Sequence, residues 1–254
     1  MSCQRIMIIP AAGRGTRLGH DAPKFMFPFE GKSLIENVLD IYKGVIDHFI
    51  IVVSRDGLEY ARKHFNNDCQ NIEFTIQKEA TGMLDAILLA RSSLPALSNS
   101  DRIWITWCDQ VGIMKETVQK ILEAEQLANP AMVVPTIRKR SPYIHFEKDS
   151  KQRILRVKQQ REGDSMPELG ESDMGLFSMS PEAYDLLNNE FSKVSDVGAE
   201  TGELNFLPFI PWLAERDYVV TVSGTNDFES IGVNTLTDAK KLKEWMRERK
   251  NNGN

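Results

Sequence analysis

The sequence predicts an α/β fold in which a mostly parallel β-sheet carries helices on both faces. In its first half, short apolar segments alternate with segments whose apolar residues recur at helical spacing. Residues 6–9 and 49–53 are wholly apolar, which is typical of strands that are buried on both faces. A repeated strand–helix order brings consecutive strands into one sheet with the same direction.

The elements of this first half follow one another at short intervals. Strands are predicted at residues 6–9, 49–53, 72–76, 103–107 and 132–134. Helices are predicted between them at residues 34–42, 58–65, 83–89 and 118–127. We therefore expect the carboxyl ends of parallel strands to meet at one edge of the sheet, where ligands bind in such folds.

The pattern changes after Pro135. Two short strands are predicted at residues 143–146 and 154–157, around a polar turn. Residues 161–172 combine glycines, a proline and many charges, which favours a mobile loop. Helical spacing returns later in the chain, at residues 181–191, 204–216 and 236–249. Neither a linker rich in Gly, Ser or Pro nor an internal repeat divides the sequence.

The charge balance argues against a nucleic-acid-binding protein. The 254 residues include 31 Lys and Arg against 36 Asp and Glu, so the formal net charge is -5. A surface that binds nucleic acid needs an excess of positive charge to meet the phosphates. This balance still allows a local basic pocket for a small phosphorylated ligand.

The cysteines and the absence of long apolar runs predict a cytoplasmic protein without a membrane segment. Cys3, Cys69 and Cys108 are scattered and odd in number, which favours reduced thiols. The N-terminal apolar run at residues 6–9 ends at Pro10 and is too short for a signal peptide. No stretch reaches the roughly 18 to 20 apolar residues that cross a bilayer.

A glycine-rich segment follows the first strand directly. Residues 9–18 read I-P-A-A-G-R-G-T-R-L. Backbone N–H groups in such a loop can converge on phosphate oxygens, and a guanidinium such as that of Arg17 suits a bidentate phosphate contact. Taken alone, Gly13 and Gly15 are equally compatible with a tight turn. A P-loop ending at Gly31-Lys32-Ser33 is excluded because Met26 stands where its first glycine is needed.

The continuation of this segment is far more specific. With residues 19–36 it forms the pattern G-x-G-T-R-L-x4-P-K-x3-P-x2-G-K-x-L-I-E. This pattern closely resembles the signature of the sugar-phosphate nucleotidyltransferases, also called nucleotide-sugar pyrophosphorylases. The resemblance implies that Arg17 and Lys24 are catalytic, contacting the phosphates. It also implies nucleotide contacts from the loop residues, namely Ala11, Ala12, Gly13, Gly15 and Thr16.

The same resemblance predicts the architecture. It implies the nucleotide-diphospho-sugar transferase fold, a Rossmann-like, mostly parallel sheet with a small β insertion for the acceptor. We expect a single nucleotidyltransferase domain over residues 1–250, followed by a tail at 251–254. Residues 1–135 would mainly bind the nucleotide, and residues 136–235 would mainly bind the acceptor and supply a second metal ligand. No hexapeptide-repeat domain is expected after residue 250.

A second segment resembles the uridylyltransferase domain of the bacterial N-acetylglucosamine-1-phosphate uridylyltransferases. Residues 77–82 read Q-K-E-A-T-G, where that family has Q-x-E-x-x-G-T-G. The resemblance implies that Gln77 hydrogen-bonds the base and that Thr81 and Gly82 line its pocket. A glutamine at this position is also compatible with a cap at the end of the strand.

Two further residues are predicted to hold Mg²⁺ by the same resemblance. Asp109 follows the strand at 103–107, and Asn234 lies in E-S-I-G-V-N, similar to the family's E-x-x-G-V-N. Mg²⁺ prefers carboxylate oxygens together with substrate phosphates. Either residue is also compatible with an ordinary helix N-cap. Glu229, in the same segment, is expected to support the loop.

The acceptor contacts depart from the family pattern. The alignment places Tyr143, Gln159 and Asp173 where the N-acetylglucosamine enzymes have a Y-G step, a glutamate and an asparagine. A carboxylate lost at Gln159 and one gained at Asp173 would change how hydroxyl groups are recognised. The resemblance therefore predicts the reaction class and leaves the acceptor open.

The predicted reaction transfers a nucleoside monophosphate from a triphosphate, with UTP favoured, to a phosphorylated acceptor such as a sugar 1-phosphate. Pyrophosphate is released, and neither nucleic acid nor a membrane is involved. One alternative is a cytidylyltransferase for molybdopterin or a phosphocholine-like acceptor. Another is a non-catalytic protein that binds a nucleotide sugar. The oligomeric state stays open, a homo-oligomer included.

Overall fold

The computed structural model of the chain describes residues 3–65 and 71–252. The strands in the described residues are β1 (Arg5–Pro10), β2 (Pro28–Phe29), β3 (Lys32–Ser33), β4 (His48–Val53), β5 (Ile72–Ile76), β6 (Arg102–Thr106), β7 (Met132–Arg140), β8 (Ile144–Lys148), β9 (Ile154–Gln159), β10 (Leu169–Asp173), β11 (Leu176–Met179) and β12 (Val219–Ser223). Cys69, predicted to be a reduced thiol, lies outside the described residues.

The α-helices of the described residues alternate with these strands in the first half and cluster in the second. They are α1 (Leu34–Tyr42), α2 (Arg55–His64), α3 (Met83–Leu89), α4 (Lys115–Ala128), α5 (Pro181–Leu186), α6 (Ser192–Val194), α7 (Phe209–Ala214) and α8 (Leu236–Asn252). A π-helical segment, Leu187–Phe191, joins α5 to α6. None of the helices in these residues is long and apolar enough to span a bilayer.

Eight of the described strands form the central sheet, in the order β10-β7-β11-β6-β1-β4-β5, with β12 on β7. Strands β6, β1, β4 and β5 run parallel to one another. Strand β11 is antiparallel to both β6 and β7, and β12 is parallel to β7. The predicted mostly parallel sheet is confirmed. The hairpin β8–β9 forms a separate two-stranded sheet, which is the predicted β insertion.

Helices cover both faces of the sheet, as predicted. Alternate residues of β1 enter two different hydrophobic cores, with Ile6 and Ile8 in one and Met7 and Ile9 in the other. Residues of α3, α5 and α7 pack in the first core, and residues of α1, α4 and α8 pack in the second. Because a strand points successive side chains to opposite faces, the apolar residues 6–9 of β1 require this double cover.

The prediction of a mobile loop over residues 161–172 is wrong at its C-terminal end. Residues Leu169–Asp173 form β10, which pairs antiparallel with β7. The sequence of this strand has only one large apolar residue, Leu169, which is followed by Gly170 and is exposed in the structure. An apolar pattern therefore does not indicate a strand here. A Cβ on Gly170 would lie 2.7 Å from His145 Nδ1, so this glycine allows the close approach of the hairpin β8–β9 rather than a turn.

Two helix boundaries also differ from the predictions. The helix predicted at 204–216 is α7 alone, because the backbone of Leu204 pairs with the Thr81 carbonyl instead of entering a helix. The last helix continues to Asn252, so residues 251 and 252 of the predicted tail are helical. Residues 253–254 lie outside the described residues.

Candidate active site

A cavity of about 400 Å³ opens at the carboxyl ends of β1, β5 and β6, the expected edge of the sheet. It brings together predicted site residues from the whole length of the chain. The predicted residues that line it are Ala12, Gly13, Arg17, Lys24, Gln77, Gly82, Asp109, Tyr143, Gln159, Asp173 and Asn234. Predicted nucleotide, metal and acceptor residues therefore share one cavity.

Four predicted residues do not line this cavity. Ala11 is buried, and its N–H donates to the carbonyl of Val52 at 2.7 Å. Gly15 and Thr81 are not among the residues that line it. Thr16 lines a neighbouring cavity on the other side of the glycine loop, together with Gly13. The nucleotide contacts predicted for these four residues therefore stay predictions.

The glycine loop positions Lys24. Gly15 adopts the left-handed conformation, with φ +66°, and a Cβ there would lie 2.7 Å from the Cβ of Lys24. Glycine is therefore needed both for the backbone conformation and for the close contact. Pro23 precedes a short 3₁₀ helix, Lys24–Met26, and the N–H of Lys24 donates to the Gly13 carbonyl at 3.3 Å. The lysine stem is thus held against the loop.

The end of the first motif has a structural role. Ser33 caps α1 and forms a capping box with Glu36. Lys32 is exposed, and its ammonium group contacts the carboxylate of Asp40 at 2.5 Å, away from the cavity. The sequence G-K-S-L-I-E therefore turns the chain into α1 and supplies no side chain to the cavity.

The charged centre of the cavity is formed by residues that lie far apart in the sequence. The ammonium of Lys24 forms an ion pair with Asp109 Oδ2 and donates to Asn234 Oδ1 at 2.8 Å. The Nη2 atom of Arg17 lies 3.5 Å from the same Asn234 oxygen. The predicted catalytic and metal residues are thus in direct contact with one another.

Backbone contacts hold Asp109 and Asn234 side by side. The N–H of Val233 donates to the Asp109 carbonyl at 3.1 Å. A Cβ on Gly232 would lie 3.0 Å from Asp109 Oδ2, so the glycine permits this approach. The first turn of α8 is capped by Thr235, whose hydroxyl accepts from the N–H of Asp238. The alternative in which Asn234 is the N-cap is therefore wrong.

The donor set fits Mg²⁺. A carboxylate oxygen of Asp109 and an amide oxygen of Asn234 converge on one cation, the ammonium of Lys24. Both are hard oxygen ligands of the kind that Mg²⁺ prefers. Across residues 3–65 and 71–252, no three His, Cys, Asp or Glu side chains are grouped for a metal. A Mg²⁺ ion here would complete its coordination with substrate phosphates and water.

Glu229 joins the two segments that carry the predicted metal ligands. It is fully buried, and its Oε2 accepts from the N–H of Met114, at the end of the segment that follows Asp109. Its Oε1 accepts from the N–H groups of Thr225 and Asn226 at 2.7 and 2.8 Å. The structure therefore supports the expectation that this carboxylate holds the loop.

We expect Glu229→Gln to lower the free energy of unfolding by about 1–3 kcal/mol. The amide would turn its NH₂ group toward at least one backbone N–H, leaving a buried donor without an acceptor. Urea denaturation measures the change, with the exposed Glu190→Gln as the control. An unchanged denaturation midpoint for Glu229→Gln would contradict this role.

The part of the cavity lined by the predicted acceptor residues Tyr143, Gln159 and Asp173, hereafter the acceptor half, is strongly polar. Gln159 is buried, and its side-chain oxygen accepts from Asn205, which is buried as well. One carboxylate oxygen of Asp173 accepts from the N–H of Gly175 at 2.8 Å, and burial raises the pKa of Asp173 to about 6. Tyr143 is half-exposed. These positions thus present amide and carboxylate groups to the cavity.

The sequence reasoning missed two cations in this half. Lys139 donates to Ser230 Oγ at 2.8 Å, and burial lowers the pKa of its ammonium group. Arg161 contacts Glu203 at 3.3 Å. Both residues line the cavity. Lys139 lies on β7 beyond its apolar part, and Arg161 lies in the segment predicted to be a mobile loop, so neither belonged to a recognisable motif.

Comparison with known proteins places the chain in a family. Residues 7–172 match the family model described as the MobA-like NTP transferase domain. The chain belongs to this family. The match includes the glycine loop, Lys24, Gln77 and Asp109, and it confirms the nucleotidyltransferase recognised from the first motif.

Curated relatives of this MobA-like NTP transferase domain protein include two proteins named bifunctional protein GlmU. The one from Staphylococcus haemolyticus is 24% identical over 254 residues, covering 98% of this chain and 54% of the relative. The one from Marinobacter nauticus is 24% identical over 243 residues, covering 95% and 52%. The chain thus spans about half the length of the curated relatives it matches.

A solved structure confirms the fold of this MobA-like NTP transferase. It is a putative glucose-1-phosphate thymidylyltransferase from Bacillus anthracis, in complex with a sucrose. The TM-score is 0.76 at 15% identity, covering 96% of this chain and 95% of that one. This likeness covers more of the chain than the family match, which ends at residue 172.

Proposed function

We propose that this chain is a Mg²⁺-dependent enzyme that transfers a nucleoside monophosphate from a triphosphate to a phosphorylated acceptor. UTP is the expected donor and a sugar 1-phosphate the expected acceptor class. The observation that carries the proposal is the contact of Lys24 with both Asp109 and Asn234 inside one cavity. That cavity also contains Gln77 and the polar acceptor half around Asp173.

The reaction is an in-line displacement at the α-phosphorus. An oxygen of the acceptor phosphate forms a bond to this phosphorus while the bond to the bridging oxygen of pyrophosphate breaks. A phosphate monoester is already an anionic nucleophile, so the cavity needs no general base. Catalysis then depends on positioning two anions and neutralising their charge.

The chain's own cations supply much of that neutralisation. Lys24 offsets the charge that grows on the reacting phosphates, and Arg17 holds the leaving pyrophosphate. Asp109 and Asn234 would hold Mg²⁺, which when bound acts as a Lewis acid toward the phosphate oxygens. Because Glu229 ties together the segments that carry both ligands, their relative position is set before substrate binds.

The acceptor half favours a polyhydroxylated acceptor. The Gln159–Asn205 pair and the carboxylate of Asp173 offer hydrogen-bonding groups for several hydroxyls. Lys139 and Arg161 add positive charge to the same wall. Phosphocholine has no alcohol hydroxyl for the amide pair and the carboxylate to bind, so these contacts support a sugar or cyclitol phosphate over a phosphocholine-like acceptor.

A pyrophosphate-release screen tests this proposal. The four nucleoside triphosphates are crossed with sugar 1-phosphates, cyclitol phosphates, phosphocholine and molybdopterin, in the presence of Mg²⁺. We expect release that depends on both UTP and a sugar 1-phosphate or a related polyol phosphate. Release only with CTP and phosphocholine or molybdopterin would favour a cytidylyltransferase. Tight nucleotide binding without release for any pair would favour the non-catalytic alternative.

Acceptor binding is expected to weaken as the pH falls through about 6. Burial disfavours the charged carboxylate of Asp173, so its pKa of about 6 lies above the usual value and the group is protonated below that pH. A protonated carboxyl accepts hydroxyl hydrogen bonds less well. The KM for the acceptor, measured between about pH 5 and 8, should therefore rise at the acid end.

Asp173→Asn is the matched control for this pH dependence. It keeps the shape of the side chain but does not titrate, while the acceptor phosphate titrates equally with both proteins. The ratio of the two KM values should change with pH around 6. A constant ratio would show that Asp173 does not contact the acceptor in its charged form.

A further inference from the structure

The side-chain amide of Gln77 is held in one place by its hydrogen bonds. Gln77 follows β5 and is 5% exposed. Its nitrogen lies 2.9 Å from Asp85 Oδ2 and 3.0 Å from the carbonyl oxygen of Gly82. Asp85 is in the first turn of α3, immediately beyond the segment that resembles the uridylyltransferases.

These neighbours determine which end of the amide faces the cavity. A carboxylate and a backbone carbonyl only accept hydrogen bonds, so the NH₂ end must point to Asp85 and Gly82. The hydroxyl of Thr81 donates its only hydrogen to Asp85 at 2.5 Å and therefore also faces Gln77 as an acceptor. The reversed amide would place its oxygen against three acceptors.

The segment that carries these acceptors cannot move easily. The N–H of Leu204 donates to the Thr81 carbonyl at 2.7 Å, and the N–H of Leu84 donates to the Leu204 carbonyl at 3.1 Å. A Cβ on Gly82 would lie 2.3 Å from the same Leu204 carbonyl oxygen. The turn between Gln77 and α3 is thus held against a second part of the chain.

The oxygen of the Gln77 amide is left for a ligand. No donor among the described residues hydrogen-bonds this atom, and Gln77 lines the cavity. A carbonyl oxygen recognises a base through a donor. Uracil and guanine carry a ring N–H at the centre of their pairing edge. Cytosine and adenine carry a ring nitrogen with a lone pair there, and their only donor on that edge is the amino group at one end.

We propose that Asp85 is a positioning residue that sets the base specificity of the nucleotide site. It fixes the Gln77 amide with its oxygen toward the cavity. The site therefore binds a base with a ring N–H more tightly than a base with a lone pair on that ring nitrogen. This inference rests on the proposed function, because it requires that the cavity binds a nucleoside triphosphate. Sites that hydrogen-bond a ligand strongly reject analogues lacking that group, since their buried polar atoms are left unpaired.

Equilibrium binding of three triphosphates tests the inference on the wild-type protein. UTP, CTP and 3-methyluridine triphosphate differ chiefly at the pairing edge, and the last has a methyl group in place of the ring N–H. We expect UTP to bind at least about tenfold tighter than the other two. Equal binding of all three, or tighter binding of CTP, would overturn the inference while leaving the proposed function in place. Failure of every triphosphate to bind would contradict the proposed function itself.

Asp85→Asn tests the role of the positioning residue. Asparagine presents an N–H as well as an oxygen, so it no longer excludes the reversed amide, although the Gly82 carbonyl still opposes it. The preference for UTP over CTP should fall by about threefold or more. Glu79→Gln, which removes an exposed carboxylate from the same segment, should leave the ratio unchanged. An unchanged ratio in a folded Asp85→Asn protein would overturn the role of Asp85. If that variant does not fold, the binding of the three triphosphates to the wild-type protein still tests the inference.

Discussion

Replacing Lys24 by methionine is expected to lower the turnover of nucleotidyl transfer by about 10²–10³-fold. The substitution keeps the stem that packs against Gly15 but removes the ammonium that contacts Asp109 and Asn234. The negative charge on the reacting phosphates is then no longer neutralised by an ammonium group that is already in place. The kcat of acceptor-dependent pyrophosphate release measures the effect, and nucleotide binding shows that the site is still formed.

Lys32→Met is the matched control for this substitution. Lys32 belongs to the same motif, but its ammonium is exposed and contacts Asp40 outside the cavity. Turnover should stay at the wild-type level in this variant. Full turnover in Lys24→Met, or an equal loss in both variants, would contradict the catalytic role of Lys24.

Asp109→Asn is expected to reduce turnover by on the order of 10²-fold and to raise the Mg²⁺ concentration needed for half-maximal activity. The change keeps the shape of the side chain but removes the charge from one of the two proposed metal ligands. It also leaves Lys24 without its ion-pair partner. Pyrophosphate release measured across a series of Mg²⁺ concentrations separates the loss of metal binding from the loss of turnover.

An exposed aspartate provides the comparison. Asp40→Asn removes a carboxylate that is half-exposed and paired with Lys32, and it should leave the Mg²⁺ dependence unchanged. If Asp109→Asn showed the wild-type Mg²⁺ dependence at any level of turnover, Asp109 would not be a metal ligand. If its turnover were normal, the charged centre of the cavity would not be catalytic.

Local patterns were sufficient to predict most of the sheet. The apolar residues 6–9 of β1 and 49–53 of β4 are buried on both faces, and their helical neighbours follow from spacing alone. Strand β10 could not be predicted in this way, because it is held by backbone pairing with β7 and its one large apolar residue, Leu169, is exposed. The residues of β10 alone predict a loop, and only the position of β7 shows that they form a strand.

The charged centre was predicted from resemblance rather than from spacing. Lys24 contacts Asp109 and Asn234, which lie 85 and 210 positions further along the chain. No local sequence pattern predicts contacts over such separations. Lys139 and Arg161 were missed because each reaches the cavity only in the folded chain, where they contact Ser230 and Glu203 far along the sequence. Asp85 was missed for another reason: its importance depends on the direction of the Gln77 amide, which only the folded geometry shows.

Tracing an isotope through the products tests the proposed reaction most directly. The acceptor sugar 1-phosphate is labelled with ¹⁸O in its phosphate, incubated with UTP and Mg²⁺, and the products are analysed by mass spectrometry. Attack by the acceptor on the α-phosphorus predicts that all of the label appears in the nucleotide-activated acceptor and none in pyrophosphate. Label in pyrophosphate, or triphosphate consumed without the acceptor, would contradict the proposed reaction.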